Sequence, residues 1–152
     1  MIRIANCLSA APLAMLLVVI GCRQDLPTTA PVRGIVLLDG KPLSGFDNAA
    51  VLLTPRSGRM ASGVIDQDGA FELSTVADRD GAPVGPADVT VSATVDDPNA
   101  ANVERGIGVR WMIPERFSSE DSGLQCEVLP GEENVFRIEL QSDGTGQMIR
   151  EE

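Results

Sequence analysis

The sequence predicts an all-β fold, and two features of its hydrophobic pattern support this. Residues 61–75, ASGVIDQDGAFELST, alternate apolar with small or polar side chains on both sides of the turn sequence Asp66-Gln67-Asp68-Gly69. Asp hydrogen-bonds its own backbone and Gly tolerates a positive φ, so this stretch predicts a β-hairpin. Similar short alternating segments recur along the chain between turn sequences. We therefore expect a seven-stranded β-sandwich with this hairpin at its centre.

The first residues of the 152-residue chain have the pattern of a bacterial export signal. Arg3 precedes an apolar run at 8–21, which is too short to span a bilayer comfortably. The run ends in the letters VIGC, which resemble a lipobox, and this implies diacylglyceryl and amide-linked acyl chains on Cys22. We expect removal of signal peptide 1–21 and attachment of Cys22 to a bacterial membrane on its extracytoplasmic side, with 22–31 as a lipidated tether. An ordinary signal peptide is the alternative.

The charge and the cysteines narrow the class of partner. The formal net charge is −10, which argues against nucleic acid and against electrostatic docking on anionic lipid. Cys7 would leave with the signal peptide and Cys22 would be lipidated, so Cys126 would have no partner for a disulfide. Cys126 alternates with Leu124 and Val128, which favours a buried small side chain over a reactive thiol.

The remaining elements follow in order. The predicted strands are 32–38, 50–55, 61–65, 70–74, 88–95, 125–129 and 135–140. The last two are expected to pair with each other through a turn rich in Pro and Gly. Residues 96–123 are expected to be irregular, and the polar residues 141–152 to be a disordered tail. The domain is therefore expected to span 32–140, with a core of Val, Leu and Ile.

Four segments carry a resemblance to a known family. The stretches VRGIVLLDGKPLSG, VLLTP, SGVIDQDGAFEL and VGPADVTVSA resemble the carboxypeptidase regulatory-like, or transthyretin-like, β-sandwich domains. Ile65 stands where that pattern usually has Thr, and Asp88 stands near its usual Tyr. The stretches IPERFSSEDSGLQCEV and NVFRIEL resemble small lipoproteins of planctomycete-type bacteria. The resemblance implies the fold and leaves the activity open.

The composition argues against an enzyme. The chain has no His and no Tyr, which removes His-assisted catalysis and the commonest zinc ligand. The carboxypeptidases need zinc-binding His residues, and the hydroxyisourate hydrolases of the transthyretin group use His and a Tyr-Arg-Gly-Ser ending. Carboxylate pairs remain for glycoside hydrolysis, but the acidic residues fall in turns and at outward strand positions. We expect no catalysis and no cofactor.

A calcium site is one candidate. Asp66, Asp68, Asp78 and Asp80 supply the carboxylate oxygens that calcium prefers. The closing Glu of a calcium loop is missing, so ordinary turn formation is the favoured interpretation.

A contact surface is the other candidate, because long loops on a rigid scaffold often carry binding residues. Arg110, Trp111, Arg116 and Phe117 combine aromatic rings with guanidinium groups, as many interfaces do. The alternative, which we favour, is that Trp111, Ile113 and Phe117 fold back and cover an open sheet edge or an end of the sandwich. The expected function is a membrane-anchored binding or structural module that contacts an envelope protein or a glycan. The alternatives are a carbohydrate-binding module and a calcium-stabilised adhesion domain.

Overall fold

A computed structural model describes residues 28–46, 48–100 and 108–151, and these residues form an all-β fold. The signal peptide 1–21, Cys22 and most of the expected tether lie outside the described residues. The strands are β1 (Thr29–Ala30), β2 (Val32–Leu38), β3 (Lys41–Pro42), β4 (Asn48–Pro55), β5 (Ala61–Val64), β6 (Ala70–Glu72), β7 (Ala82–Pro83), β8 (Gly85–Asp96), β9 (Val109–Trp111), β10 (Leu124–Val128), β11 (Asn134–Leu140) and β12 (Gly146–Glu151). Two short 3-10 helices follow β9, at Glu115–Ser118 and Glu120–Ser122.

The strands form two five-stranded sheets and one two-stranded ribbon. Sheet 1 has the order β10-β8-β4-β5, with β9 also paired to β8. Sheet 2 has the order β12-β11-β2, and β3 and β6 both pair with β2. The ribbon is β1 with β7. These pairs are antiparallel except for β2 with β11, which run parallel from Val32 opposite Asn134 to Leu38 opposite Leu140.

The inward faces of both sheets contribute to one hydrophobic cluster. Its most deeply buried aliphatic side chains include Val36, Val51, Leu53, Leu73, Val89, Val91, Leu124, Ile138 and Leu140. Burying each such side chain contributes roughly 1.5–3 kcal/mol to the stability of the fold. Because successive side chains of a strand point to opposite faces, the face that carries the apolar residues is the one that turns inward. The prediction of an aliphatic core is confirmed, and all seven predicted strands are present.

The central hairpin forms only in part: its tight turn is present, but its two strands join different sheets, so the prediction that they pair with each other was wrong. β5 pairs with β4 in sheet 1, whereas β6 pairs with β2 in sheet 2. A bridge between Ser62 and Ser74 and a bond from the Asp66 N–H to the Ala70 carbonyl at 2.8 Å link the two segments. The turn itself forms as expected, because the Asp66 carboxylate accepts the N–H groups of Asp68 and Ala70 at 2.9 Å. Alternation reports which side chains face inward, but it does not report which sheet a strand joins.

The predicted pairing of the last two strands is also wrong. β10 pairs with β8 in sheet 1, and β11 pairs with β2 and β12 in sheet 2. The connection from β10 to β11, which passes from sheet 1 to sheet 2, is stabilised by Asn134. The side-chain oxygen of Asn134 accepts the Leu129 N–H at 2.8 Å. Its amide nitrogen donates to the carbonyls of Leu129 and Glu132, at 3.0 Å and 3.1 Å, and to that of Pro31 at 3.3 Å. This amide is fully buried and bonded on every side.

The region expected to be a disordered tail contains a strand. β12 pairs antiparallel with β11 from Gly146 opposite Leu140 to Glu151 opposite Val135. A tight turn with Gly144 at φ 90° reverses the chain, and the Gln141 N–H donates to the Thr145 carbonyl at 2.8 Å. The polar composition misled the prediction, because a strand at the edge of a sheet gains its backbone hydrogen bonds without a strongly apolar sequence.

The connections between strands gather at two opposite ends of the molecule. At the lower end lie Thr28, the turn 56–60, the loop 74–84 and the turn 129–133. At the upper end lie the turns 39–40, 66–69 and 141–145, together with β9. The described chain therefore begins at the end opposite to Trp111.

Candidate functional site

The four aspartates considered as calcium ligands belong to opposite ends of the molecule. Asp66 and Asp68 lie in the upper turn, and Asp78 and Asp80 lie in the lower loop. Among the described residues, no group of three or more acidic, Cys or His side chains is arranged to hold a metal ion. The structure therefore does not assemble this predicted ligand set.

Asp80 organises its own loop. Its carboxylate accepts the backbone N–H groups of Thr75, Val76 and Ala77 at 2.6, 2.9 and 3.0 Å. These bonds, that of Ala77 first, lower the pKa of Asp80 because they stabilise the charged form. The carboxylate oxygens are thus already engaged by the loop.

Phe117 belongs to the core and not to a contact surface. Its side chain is 0% exposed, and Ile113 just before the 3-10 helix is buried with it. The ring lies against β12, since a Cβ atom on Gly146 would be 2.8 Å from it. The prediction that Phe117 contacts a partner is contradicted, and the alternative that it covers an end of the fold is confirmed.

Arg116 holds the segment that contains Phe117 in place. Its guanidinium donates to the carbonyls of Gly144 and Ser122, at 2.7 Å and 3.2 Å. The same group lies 5.5 Å from the centre of the Phe117 ring. Arg116 therefore ties the segment after β9 to the turn before β12, which is a structural role.

Arg110 and Trp111 remain at the surface of the upper end. Arg110 is exposed and forms an ion pair with Asp97 at 3.8 Å. Trp111 is partly exposed and lies opposite Thr94, so its ring shares the outer face of sheet 1 with that hydroxyl. Of the four predicted contact residues, these two are placed where a partner can reach them.

Cys126 lies on β10 with its thiol largely buried. Burial raises its pKa to about 11, because the thiolate would lose its hydration. Such a thiol is almost entirely protonated at neutral pH, which agrees with the expectation of an unreactive side chain.

An open groove of about 710 Å³ crosses the line where β5 and β6 meet. Its floor is formed by short or apolar residues from both sheets: Gly34, Ile35, Ala50, Ala70, Phe71 and Val135. Charged side chains stand around it. Arg79 pairs with Glu72 at 3.0 Å and Arg33 pairs with Glu133 at 2.9 Å, while Asp66 and Asp78 also line the groove.

The groove is suited to binding. The described side chains that line it include paired guanidinium groups, carboxylates and the hydroxyls of Ser62 and Ser74. The Ser74 hydroxyl already accepts the Arg79 N–H at 2.8 Å. An apolar floor with a polar rim fits a short extended segment or a polar small molecule.

Sequence reasoning missed the groove because it placed β5 and β6 in one sheet. Two glycines inside strands indicate where other segments approach these strands closely. A Cβ atom on Gly63 would lie 2.2 Å from the Glu72 carbonyl oxygen of β6. One on Gly34 would lie 2.0 Å from the Phe136 carbonyl oxygen of β11 and 2.9 Å from the Phe71 ring of β6. Glycine inside a strand marks close approach of another segment, which is β6 for Gly63 and both β11 and β6 for Gly34.

Comparison with family models, curated proteins and solved structures finds no match to this chain. In the part of the chain that the structure describes, no helix is long and apolar enough to cross a bilayer. The proposals below therefore rest on the residues of this chain.

Proposed function

We propose that this protein is a lipid-anchored extracytoplasmic module that binds a partner in a bacterial cell envelope and carries out no catalysis. The observation that carries the proposal is the sequence VIGC at 19–22, placed at the end of an apolar run that follows Arg3. A small residue directly before Cys at this position is typical of lipidated proteins. Several acyl chains on Cys22 would give the firm attachment that one chain alone does not.

We further propose that the domain is a transthyretin-like β-sandwich of the carboxypeptidase regulatory-like type. Two five-stranded sheets that share one hydrophobic cluster support a sandwich. The strands located by the alternation of side chains support this proposal, and β1, β3, β7, β9 and β12 would be additions to a seven-stranded sandwich.

The geometry suggests which surfaces would meet a partner. Only residues 23–27 separate Cys22 from Thr28, which lies at the lower end. The upper end, with Arg110 and Trp111, would then point away from the membrane. The groove between β5 and β6 lies on the side of the domain and would stay accessible. Both surfaces are available for an envelope protein.

The proposal of a non-catalytic role rests on the side chains available. The sequence lacks His and Tyr, and the aspartates whose contacts are most extensive, Asp39, Asp80 and Asp143, accept hydrogen bonds from their own or neighbouring turns. Cys126 is buried with a raised pKa. These groups stabilise turns and the core.

The first test is the intact mass and detergent partitioning of the protein from native membranes. We expect loss of residues 1–21, added acyl mass and partition into the detergent phase. Cys22→Ala should lack acyl mass and partition into the aqueous phase, whereas the matched variant Cys126→Ala should behave as the wild type. A wild-type chain without acyl mass would contradict the proposal.

A carbohydrate-binding module is the second candidate, and one observation favours it. In the register of sheet 1, Trp111 and Asn48 both lie opposite Thr94, which places an indole, an amide and a hydroxyl in one row. A glycan array would test this: Trp111→Ala should abolish binding and Val64→Ala, at the other edge of sheet 1, should not. Equal binding by both variants would eliminate this surface. A calcium-stabilised adhesion domain has less support, because the described residues contain no group of three or more acidic, Cys or His side chains placed to hold a metal ion.

A further inference from the structure

The turn between β4 and β5 carries two arginines without acidic partners. Arg56 and Arg59 are exposed, and among the described residues no carboxylate lies within ion-pair distance of either guanidinium. Four other arginines form ion pairs: Arg33, Arg79, Arg110 and Arg137. Arg116 and Arg150 donate to backbone carbonyls. The turn 56–60 is therefore locally positive in a chain of net charge −10.

Two exposed apolar side chains lie next to these charges. Met60 is 57% exposed and Val76 is 61% exposed, and both belong to the lower end. Both residues lie two positions outside the antiparallel backbone bridge between Ser62 and Ser74, which brings their two segments together at this end. The lower end thus combines an apolar pair with an adjacent pair of free guanidinium groups.

The described chain begins beside this turn. The Thr28 carbonyl accepts the Val84 N–H at 3.0 Å, and two residues further on the Pro86 carbonyl accepts the Arg56 N–H at 3.3 Å. β1 is fixed to β7, with Ala30 and Ala82 buried between them. The position of Thr28 is therefore set by the fold.

The distance to the anchor is short. Six peptide units join Cys22 to Thr28, and a fully extended chain of that length spans about 20 Å at about 3.3 Å per residue. A lipid on Cys22 would hold the lower end within that distance of the bilayer. No other end of the molecule could be held so close.

Several carboxylates of the lower end have a partner within the protein. Asp88, which lines a pocket together with Arg56, accepts the Gln125 side-chain N–H at 2.9 Å, and Glu127 is exposed on β10. Glu133 pairs with Arg33, Glu72 pairs with Arg79, and Asp80 accepts three N–H groups of its own loop. Asp78 and Glu132 are exposed, but they belong to the loop 74–84 and the turn 129–133 and not to the turn 56–60.

We propose that Arg56, Arg59, Met60 and Val76 form a docking surface for a bilayer that contains anionic lipid. This proposal rests on the lipid anchor proposed above, which supplies the proximity. The guanidinium groups bind lipid phosphates and the apolar pair enters the headgroup region, so the domain rests on the membrane with its lower end. The net negative charge of the whole chain would by itself repel an anionic bilayer. Salt screens charges more than roughly 10 Å apart, so the residues nearest the bilayer, Arg56 and Arg59, dominate its interaction with the protein.

The test uses full-length protein, purified with its acyl chains and reconstituted into vesicles that contain brominated lipid. The native Trp111 is at the upper end and serves as the distant reference. A second protein carries Met60→Trp together with Trp111→Phe, which moves the only indole to the lower end. In vesicles with phosphatidylglycerol we expect strong quenching of the indole at position 60 and several-fold weaker quenching of Trp111.

Charge removal tests the arginines. In the Met60→Trp background, Arg56→Ser with Arg59→Ser should lower the ratio of docked to undocked protein by about 30-fold. Lys41→Ser is the matched control, because Lys41 is an exposed cation at the upper end without an ion pair among the described residues, and it should leave quenching unchanged.

The outcomes separate the two proposals. Acylated protein whose position 60 is quenched no more than Trp111 would overturn the docking surface and leave the anchor in place. Equal quenching in vesicles without anionic lipid would overturn the role of the two arginines. A mass without acyl chains would overturn the anchor, and the docking surface with it.

Discussion

The two ends of the molecule are closed by different kinds of residue. The lower end is closed by small residues and one amide: Ala30 and Ala82 are buried in the β1–β7 ribbon, and Asn134 bonds to Pro31 and Leu129. The upper end is closed by a large aromatic ring, that of Phe117, with Arg116 lying over it.

This difference explains why one closure could be predicted from the sequence and the other could not. A Phe inside a polar, irregular segment is conspicuous, and folding back over an end of the sandwich was the favoured expectation for it. The segments 28–31 (TTAP) and 81–86 (GAPVGP) have no such signal, because they contribute mainly through close approach of their backbones. The upper closure was therefore predictable and the lower closure was not.

The largest effect on stability should come from replacing Phe117, whose ring closes the upper end. Phe117→Ala would leave a cavity beneath β12 and should lower the free energy of unfolding by about 3–5 kcal/mol. Trp111→Ala is the matched control and should cost far less, because Trp111 is partly exposed. Urea denaturation measures both. Similar losses for the two variants would show that Phe117 is not the main closure.

The β1–β7 ribbon should give the next largest effect. Gly81 has a φ of 81°, and a Cβ atom on it would lie 2.0 Å from the Ala30 carbonyl oxygen. Gly131 has a nearly equal φ of 78° with nothing within 4 Å, so Gly131→Ala measures the backbone strain alone. Gly81→Ala should cost a further 1–3 kcal/mol, roughly, from displacement of β1. Equal thermal midpoints for the two variants would mean that β1 is not held against the body.

Asn134→Ala should be destabilising to a similar or smaller extent. It removes a fully buried amide and leaves the Leu129 N–H without its acceptor, which should cost about 1–3 kcal/mol. Asn99→Ala, at an exposed site, should be close to neutral. Hydrogen exchange should also become faster at Leu129 in the Asn134 variant. An unchanged exchange rate there would argue against this amide as the link.

The smallest effect should be a difference in acid sensitivity. Bonds from the hydroxyl and the N–H of Ser142 lower the pKa of Asp39, and bonds from Thr145 lower that of Asp143. Groups with a lowered folded-state pKa contribute stability above the unfolded value of 3.8, and this contribution is lost as pH falls through the folded value. Asp39→Asn should therefore flatten the loss of stability below about pH 4. Urea midpoints between pH 7 and pH 2 measure it, with exposed Asp68→Asn as the control; parallel curves would contradict the assignment.

Most of the strands could be predicted, but their partners could not. Alternation located β2 correctly and found β4, β6, β8 and β10 to within a few residues, because burial of one face has a period of two. It predicted that β5 pairs with β6 and that β10 pairs with β11, whereas each of these connections passes from one sheet to the other.

The candidate sites likewise divide into local features that the sequence predicts and long-range features that it does not. The role of Asp66 in its turn is local and was expected, and the position of Phe117 followed from its hydrophobicity. The groove, the ribbon and the patch around Arg56 each join residues from distant parts of the chain. Such juxtapositions depend on the sheet topology, which the periodicity of a single sequence does not contain.

The parallel pairing of β2 with β11 has a consequence for the order of folding. Val32 and Asn134 are neighbours in sheet 2 although about one hundred positions separate them, so the sheet lacks its central pair until residue 140 has left the ribosome. Pairings of such long range form slowly, because a large loop must close before they yield any contact. Sheet 2 is therefore expected to be completed last, whereas β4, β5 and β8 of sheet 1 can pair once residue 96 is available.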